Sequence, residues 1–178
     1  HTIMSSTALH AAIATTPGAD DRPVIDARAA GDDAAQIRAL VTELRANENV
    51  AVLTSLLYHS TARKDAAGAL AELARDNSAN KDAIREAGGV PTLVALLDVL
   101  ETRVNATGAL RYLAYDNSAN QDAIREAGGV PKLVALLYVL ETRVDAVETL
   151  SNLAYDNSAN QDAIVEQLCT VGTTYVPP

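Results

Sequence analysis

The side chains that could perform catalysis are few and scattered along the chain. His1 and His10 stand near the amino terminus, and His59 lies far from both, with no cysteine or second histidine at the spacing of a metal site. Cys169 is the one cysteine and has no base near it in sequence, so it reads as an incidental or buried thiol rather than a nucleophile. The recurring Asp-Asn-Ser-Ala-Asn runs at 76–80, 116–120 and 156–160 offer oxygens, but not at the spacing of a cation loop. Helix capping accounts for them. Gly88-Gly89 and Gly128-Gly129 are too short to cradle a phosphate and read as turns between helices. Asn105-Ala106-Thr107 has the form of a glycosylation sequon, yet it falls inside a helical pattern and reads as a chance match. No catalytic residue, metal or cofactor is expected, and the chain is read as a non-enzyme.

Composition points instead to recognition. The chain has 178 residues, room for one domain, and no apolar run near the ~20 residues that span a bilayer, so no direct membrane insertion is expected. Fourteen basic against twenty-three acidic residues give a formal charge of −9, which opposes nucleic acid and anionic lipid and favours a basic protein partner. Phe and Trp are absent, so the core must be built from Ala, Leu, Val and Ile in closely spaced helices. One cysteine makes no internal disulfide, and an intracellular, cytoplasmic setting is the simplest expectation. The chain begins with His1, and an organelle would follow if that reflects removal of a targeting peptide.

The elements that position these side chains are written as repeats. Blocks 87–126 and 127–166 differ at nine of forty positions, and 47–86 matches its neighbour at about half. A period of this length marks a solenoid of stacked supersecondary units, which present extended binding surfaces. Ser118 and Gln121 have the spacing of a capping box opening a short helix that carries Ala123 and Ile124 inward and stops at Gly128-Gly129. Pro131 suits the first turn of a second helix, reaching about Tyr138 and burying Leu133, Val134, Leu136 and Leu137. Thr142 is a candidate cap for a third helix, 143–155, with Val144, Val147, Leu150 and Leu153 as its core stripe. Before the repeats, Ile37, Leu40, Val41 and Leu44 recur at helical spacing and predict a capping helix over 32–46. Residues 1–31, punctuated by Pro17-Gly18 and Arg22-Pro23, read as an extended arm expected to lie against the solenoid or a neighbouring chain.

Two segments carry a family resemblance. Ala87-Gly-Gly-Val-Pro-Thr-Leu-Val-Ala-Leu-Leu97 and its copy at 127–137 resemble the second-helix signature of armadillo repeats, and Ala66-Ala-Gly-Ala-Leu-Ala-Glu-Leu-Ala74 resembles the third. The resemblance covers 47–166 and implies an all-α, right-handed α-solenoid of about three repeats (47–86, 87–126, 127–166). Two-helix HEAT repeats are the alternative, against which the capped short helix argues.

Armadillo proteins bind extended peptides along the concave row of third helices, so the resemblance implies that surface here. Residues facing away from the apolar stripe are Asp65, Gly68, Glu72 and Arg75; Asn105, Gly108, Tyr112 and Tyr115; and Asp145, Glu148, Asn152 and Tyr155. Carboxylates, amides and tyrosines at these places could pair with basic side chains and stack on a peptide. The asparagine ladder of the peptide-binding members reads here Glu72, Tyr112, Asn152, and their tryptophan positions read Gly68, Gly108, Glu148, so import-signal recognition is not implied. A solvated helix face and close helix packing at the glycines are the competing explanations. The copy opening at Gln161 fails after Glu166, and 167–178, rich in β-branched residues and ending in prolines, predicts an extended tail, with Leu168, Val171 and Val176 folding back as a cap or leaving a docking edge. Two functions follow: a module holding a short, basic peptide or protein segment in the third-helix groove, or a structural subunit of a larger complex that contacts neighbours through its arm and C-terminal edge.

Overall fold

The computed structural model describes residues 34–174, which form ten α-helices and, among the described residues, no strand. Helices α1 (Ala34–Ala46), α2 (Val50–Leu56) and α3 (Arg63–Ala74) form a first triad. A second comprises α4 (Ser78–Glu86), α5 (Gly89–Leu96) and α6 (Arg103–Ala114), and a third α7 (Ser118–Glu126), α8 (Gly129–Leu136) and α9 (Arg143–Ala154). The last helix, α10 (Ser158–Thr174), stands where a fourth triad would open. Helix α3 packs on α6 and α6 on α9, while α1 packs on α3, which makes the chain an α-solenoid. Triads begin at the short helix, so each forty-residue block holds two helices of one triad and the first of the next. The predicted arm, 1–31, lies outside the described residues.

Local chemistry sets each corner. Asp76, Asp116 and Asp156 turn the chain at φ 54°, 51° and 50°, a left-handed conformation that aspartate tolerates better than most residues. The asparagine that follows caps the short helix: Asn77, Asn117 and Asn157 accept from the amides of Asn80, Asn120 and Asn160 at 3.0, 3.0 and 3.1 Å. This corrects the capping box expected at Ser118. Asn117 has extended backbone, φ −149° and ψ 93°, and takes the cap position, so Ser118 is already helical. Gly88 and Gly128 end α4 and α7 at φ 76°; at the matching place in the first triad Glu48 holds φ 50°.

The seam between layers is leucine and alanine. Leu53, Leu70, Ile84, Leu93, Leu97, Leu110, Leu113, Ile124, Leu133 and Leu153 are fully buried, each contributing about 1.5–3 kcal/mol. Leu40, Val41 and Leu44 carry the inner face of α1 into this core, with Ile37 packed at its margin.

Three further expectations are corrected. The buried stripe of α9 is Ala146, Thr149, Leu150 and Leu153, whereas Val144 and Val147 are 67% and 52% exposed. Val104, the counterpart of Val144, is exposed as well, so that position faces outward in both copies. Val147 takes the place that Thr107 fills, fully buried, on α6, where another third helix follows; among the described residues none follows α9. Thr142 makes no cap bond; buried, it donates to the carbonyls of Leu136 and Val139, as Thr102 does to those of Leu96 and Val99. Finally, the chain does not become extended at Gln167. No glycine pair follows Glu166, so α10 runs on to Thr174, and Val171 packs against the core. Val176 lies outside the described residues.

Candidate binding groove

The third helices present their predicted residues in two depressions. The first lies between α1, α3 and α6, where Asp65, Gly68, Glu72 and Asn105 meet Arg38, Thr42 and Arg45 of α1. Glu72 is ion-paired to Arg45. The Asn105 amide reaches across the junction and donates to the Lys64 carbonyl at 2.7 Å. A Cβ at Gly68 would stand 3.2 Å from that amide nitrogen, so this glycine permits the close approach of α3 and α6. At Gly108 an added Cβ would meet nothing within 4 Å.

The second depression, a cavity of about 410 Å³, is lined by Asp76, Arg111, Tyr112, Tyr115, Glu148, Ser151 and Asn152. Arg111 dominates it. Its guanidinium donates to Glu148 at 2.6 Å, forms an ion pair with Asp145 at 2.9 Å, and donates to the Tyr112 hydroxyl at 2.5 Å. It also lies 4.4 Å from the centroid of the Tyr112 ring, and Arg75 lies 4.9 Å from the same centroid. Burial opposes the charge on Arg111, but the bond to Glu148 and the field of Asp145 win and raise its pKa. Asn152 donates to the Arg111 carbonyl at 3.1 Å, and its own carbonyl accepts from Gln121 at 2.9 Å.

Behind Tyr115 stands a buried cation. Lys81 on α4 is 5% exposed, donates to the Tyr115 carbonyl at 2.6 Å, and lies 5.2 Å from that ring's centroid. The carbonyl ends α6, so the ammonium meets the negative end of a helix dipole. Burial pushes the Lys81 pKa down, with Asp116, Asp76 and Asp82 opposing the shift. Hydrogen bonds from Asn117 and Arg85 hold the neighbouring Asp82 carboxyl below the usual carboxylate range.

Of the ten sequence-predicted residues, Asp65, Glu72 and Asn105 share the first depression, and Tyr112, Tyr115, Glu148 and Asn152 the second. Arg75 and Asp145 join through Tyr112 and Arg111. Tyr155 stands apart and is 68% exposed. Sequence reasoning misses Arg45, Asp76, Arg111 and Ser151. Arg111 is one of the nine positions at which blocks two and three differ, a usable signal, but it lies one residue off the chosen stripe, about 100° around the helix. Asp76 reaches the groove from the turn beyond α3. His59, half-buried in the corner after α2, has its pKa lowered by burial. Among the described residues no three His, Cys, Asp or Glu side chains converge to hold a metal. The arrangement is suited to cations, peptide backbone and aromatic stacking.

Stacked third helices with such a groove define an α-solenoid of the kind built to hold other proteins. The Armadillo/beta-catenin-like repeat model matches residues 77–115 and 117–155, the second and third triads. The chain belongs to the armadillo repeat family, whose repeats are generally protein-interaction modules. An engineered protein of known crystal structure is similar over 91% of this chain at 32% identity and a TM-score of 0.67, and this chain spans 40% of its length. A second engineered protein is similar over 91% of this chain and 67% of its own, at 30% identity and a TM-score of 0.67. A designed armadillo repeat protein in complex with the peptide (KR)4 is 27% identical, with a TM-score of 0.63 over 79% of this chain and 63% of its own. No curated protein sequence matches the chain.

Proposed function

We propose that this chain is a non-catalytic module that holds a short, basic segment of a partner protein along α3, α6 and α9. The observation that supports this is a groove carrying carboxylates and tyrosines: Asp65 and Asp76 make no ion pair among the described residues, and Asp76 shares a depression with Tyr112, Tyr115 and Glu148. The designed relative's complex with (KR)4 supports a basic ligand. A cytoplasmic setting suits the single thiol.

The test is binding of labelled (KR)4 by fluorescence anisotropy at low and high salt. Binding that weakens with salt and is lost on joint charge reversal at Asp65, Glu72 and Glu148 is the expected result; no binding, or binding indifferent to the reversals, overturns it. A second reading is favoured by the open side of the last repeat, where Val147, Val165 and Leu168 are exposed. There the chain is a subunit of a larger assembly, joined through its C-terminal edge. Capture of a native partner that survives the groove reversals but is lost on deletion after Glu166 selects that reading.

A further inference from the structure

Arg111 already makes the contacts that a basic ligand would seek. One guanidinium engages Glu148 at 2.6 Å, Asp145 at 2.9 Å and the Tyr112 hydroxyl at 2.5 Å, with the Tyr112 ring 4.4 Å away. We propose that Arg111 is an internal occupant of the groove, which holds the acidic subsite of Asp145, Glu148 and Tyr112 shut to ligand cations until one displaces it. The proposal rests on the groove being a cation-binding face.

Three observations separate this from simple bracing of the stack. The corresponding residues of the first and third repeats are Ala71 and Ser151, so the framework does not require a guanidinium there. A tie between α6 and α9 that does not involve the guanidinium is also present, the Arg111 carbonyl accepting from Asn152 at 3.1 Å. The Arg111 Nε is buried with no acceptor among the described residues, as are those of Arg63 and Arg125, so the engaged state leaves one donor unpaired. Glu148 is meanwhile 51% exposed at its side chain and can be approached from solvent.

The geometry also sets selectivity. A displacing group must match a planar fork that pairs with carboxylates and stacks on a ring, which an arginine side chain does and a lysine ammonium does not. The intact chain should therefore prefer arginine-rich over lysine-rich peptides, and removing Arg111 should weaken that preference.

The experiment compares the intact chain, Arg111→Gln, Glu148→Gln and the double variant for binding of (KR)4 and of all-arginine and all-lysine octapeptides. We expect Arg111→Gln to bind (KR)4 roughly tenfold tighter than the intact chain, about the weight of one charge-assisted contact, and Glu148→Gln in that background to remove the gain. If the intact chain binds and Arg111→Gln binds equally or more weakly, the internal-occupant proposal is overturned while the groove survives. If neither binds any of the peptides, the groove itself is overturned, and the proposal with it. Because Arg111→Gln could loosen α6 against α9, the intact chain supplies a second measurement. The Arg111 Nε–H NMR signal should shift and exchange faster with water as (KR)4 saturates, and a signal unmoved by bound peptide overturns the proposal.

Discussion

The two junctions between third helices share a framework and differ in how they close. Between α3 and α6 the contact depends on a missing side chain: Gly68 lets Asn105, near the start of α6, reach the Lys64 carbonyl at 2.7 Å. Between α6 and α9 it depends on charge, with Arg111 gripping Asp145 and Glu148, and the amide tie moves to Asn152, near the end of α9. The short helices differ too, since Lys81 caps the end of α6 where Gln121 donates to the Ala114 and Asn152 carbonyls. Each junction thus has one asparagine tie from its third helix, placed at opposite ends. The buried leucines and alanines fix the stack, and the face above them is free to change its chemistry.

Substitutions can break this contrast. Gly68→Val should cost about 2 kcal/mol by forcing Asn105 aside, whereas Gly108→Val, with open space around it, should change stability by less than about 0.5 kcal/mol; equal losses in urea denaturation would dissolve the distinction. Next in size, Asn105→Ala and Asn152→Ala should each cost about 1 kcal/mol through one lost bond. Their effects should add if the junctions are independent, and a double variant read by calorimetry decides that. At the corner, Glu48→Gly should gain about 0.5–1 kcal/mol by relieving a left-handed backbone that its counterparts Gly88 and Gly128 adopt without strain. A destabilised variant in chemical denaturation would refute that account.

The smallest effect concerns pH. Burial holds the Lys81 pKa below the ordinary lysine value, so between the two values the unfolded chain binds this proton more readily than the folded one. Stability therefore gains a contribution as pH rises through that window. Lys81→Gln, which copies the next repeat, should remove that part of the alkaline slope when unfolding is followed from neutral to high pH. An unchanged slope would mean that the ammonium is not held in a desolvated site.

Much of the framework was legible in the residues. Forty-residue spacing, the Gly128 corner and the Leu40-Val41-Leu44 stripe led to three-helix units and a leading helix, because local backbone preference and apolar period act within one unit. The cap was displaced by one residue because Asn117 and Ser118 are both good caps, and only the backbone angle separates them. Val147 was misplaced because its burial depends on a helix that would come later. Arg111 escaped because its role exists only across two helices, and a stripe drawn on one helix excludes the flank that faces the next. Pairing across repeats is a property of the stack and is not written in any single copy.

The open side of the last repeat gives the stack a direction. Leu97, Ala114 and Ile124 are buried, while their counterparts Leu137, Ala154 and Ile164 are partly uncovered; at the other end α1 closes the seam with Leu40, Val41 and Leu44. In a stack of nearest-neighbour contacts, opening costs least where the buried seam is least covered. Amide protons of the described helices should therefore exchange first in α10 and last around α3 and α6.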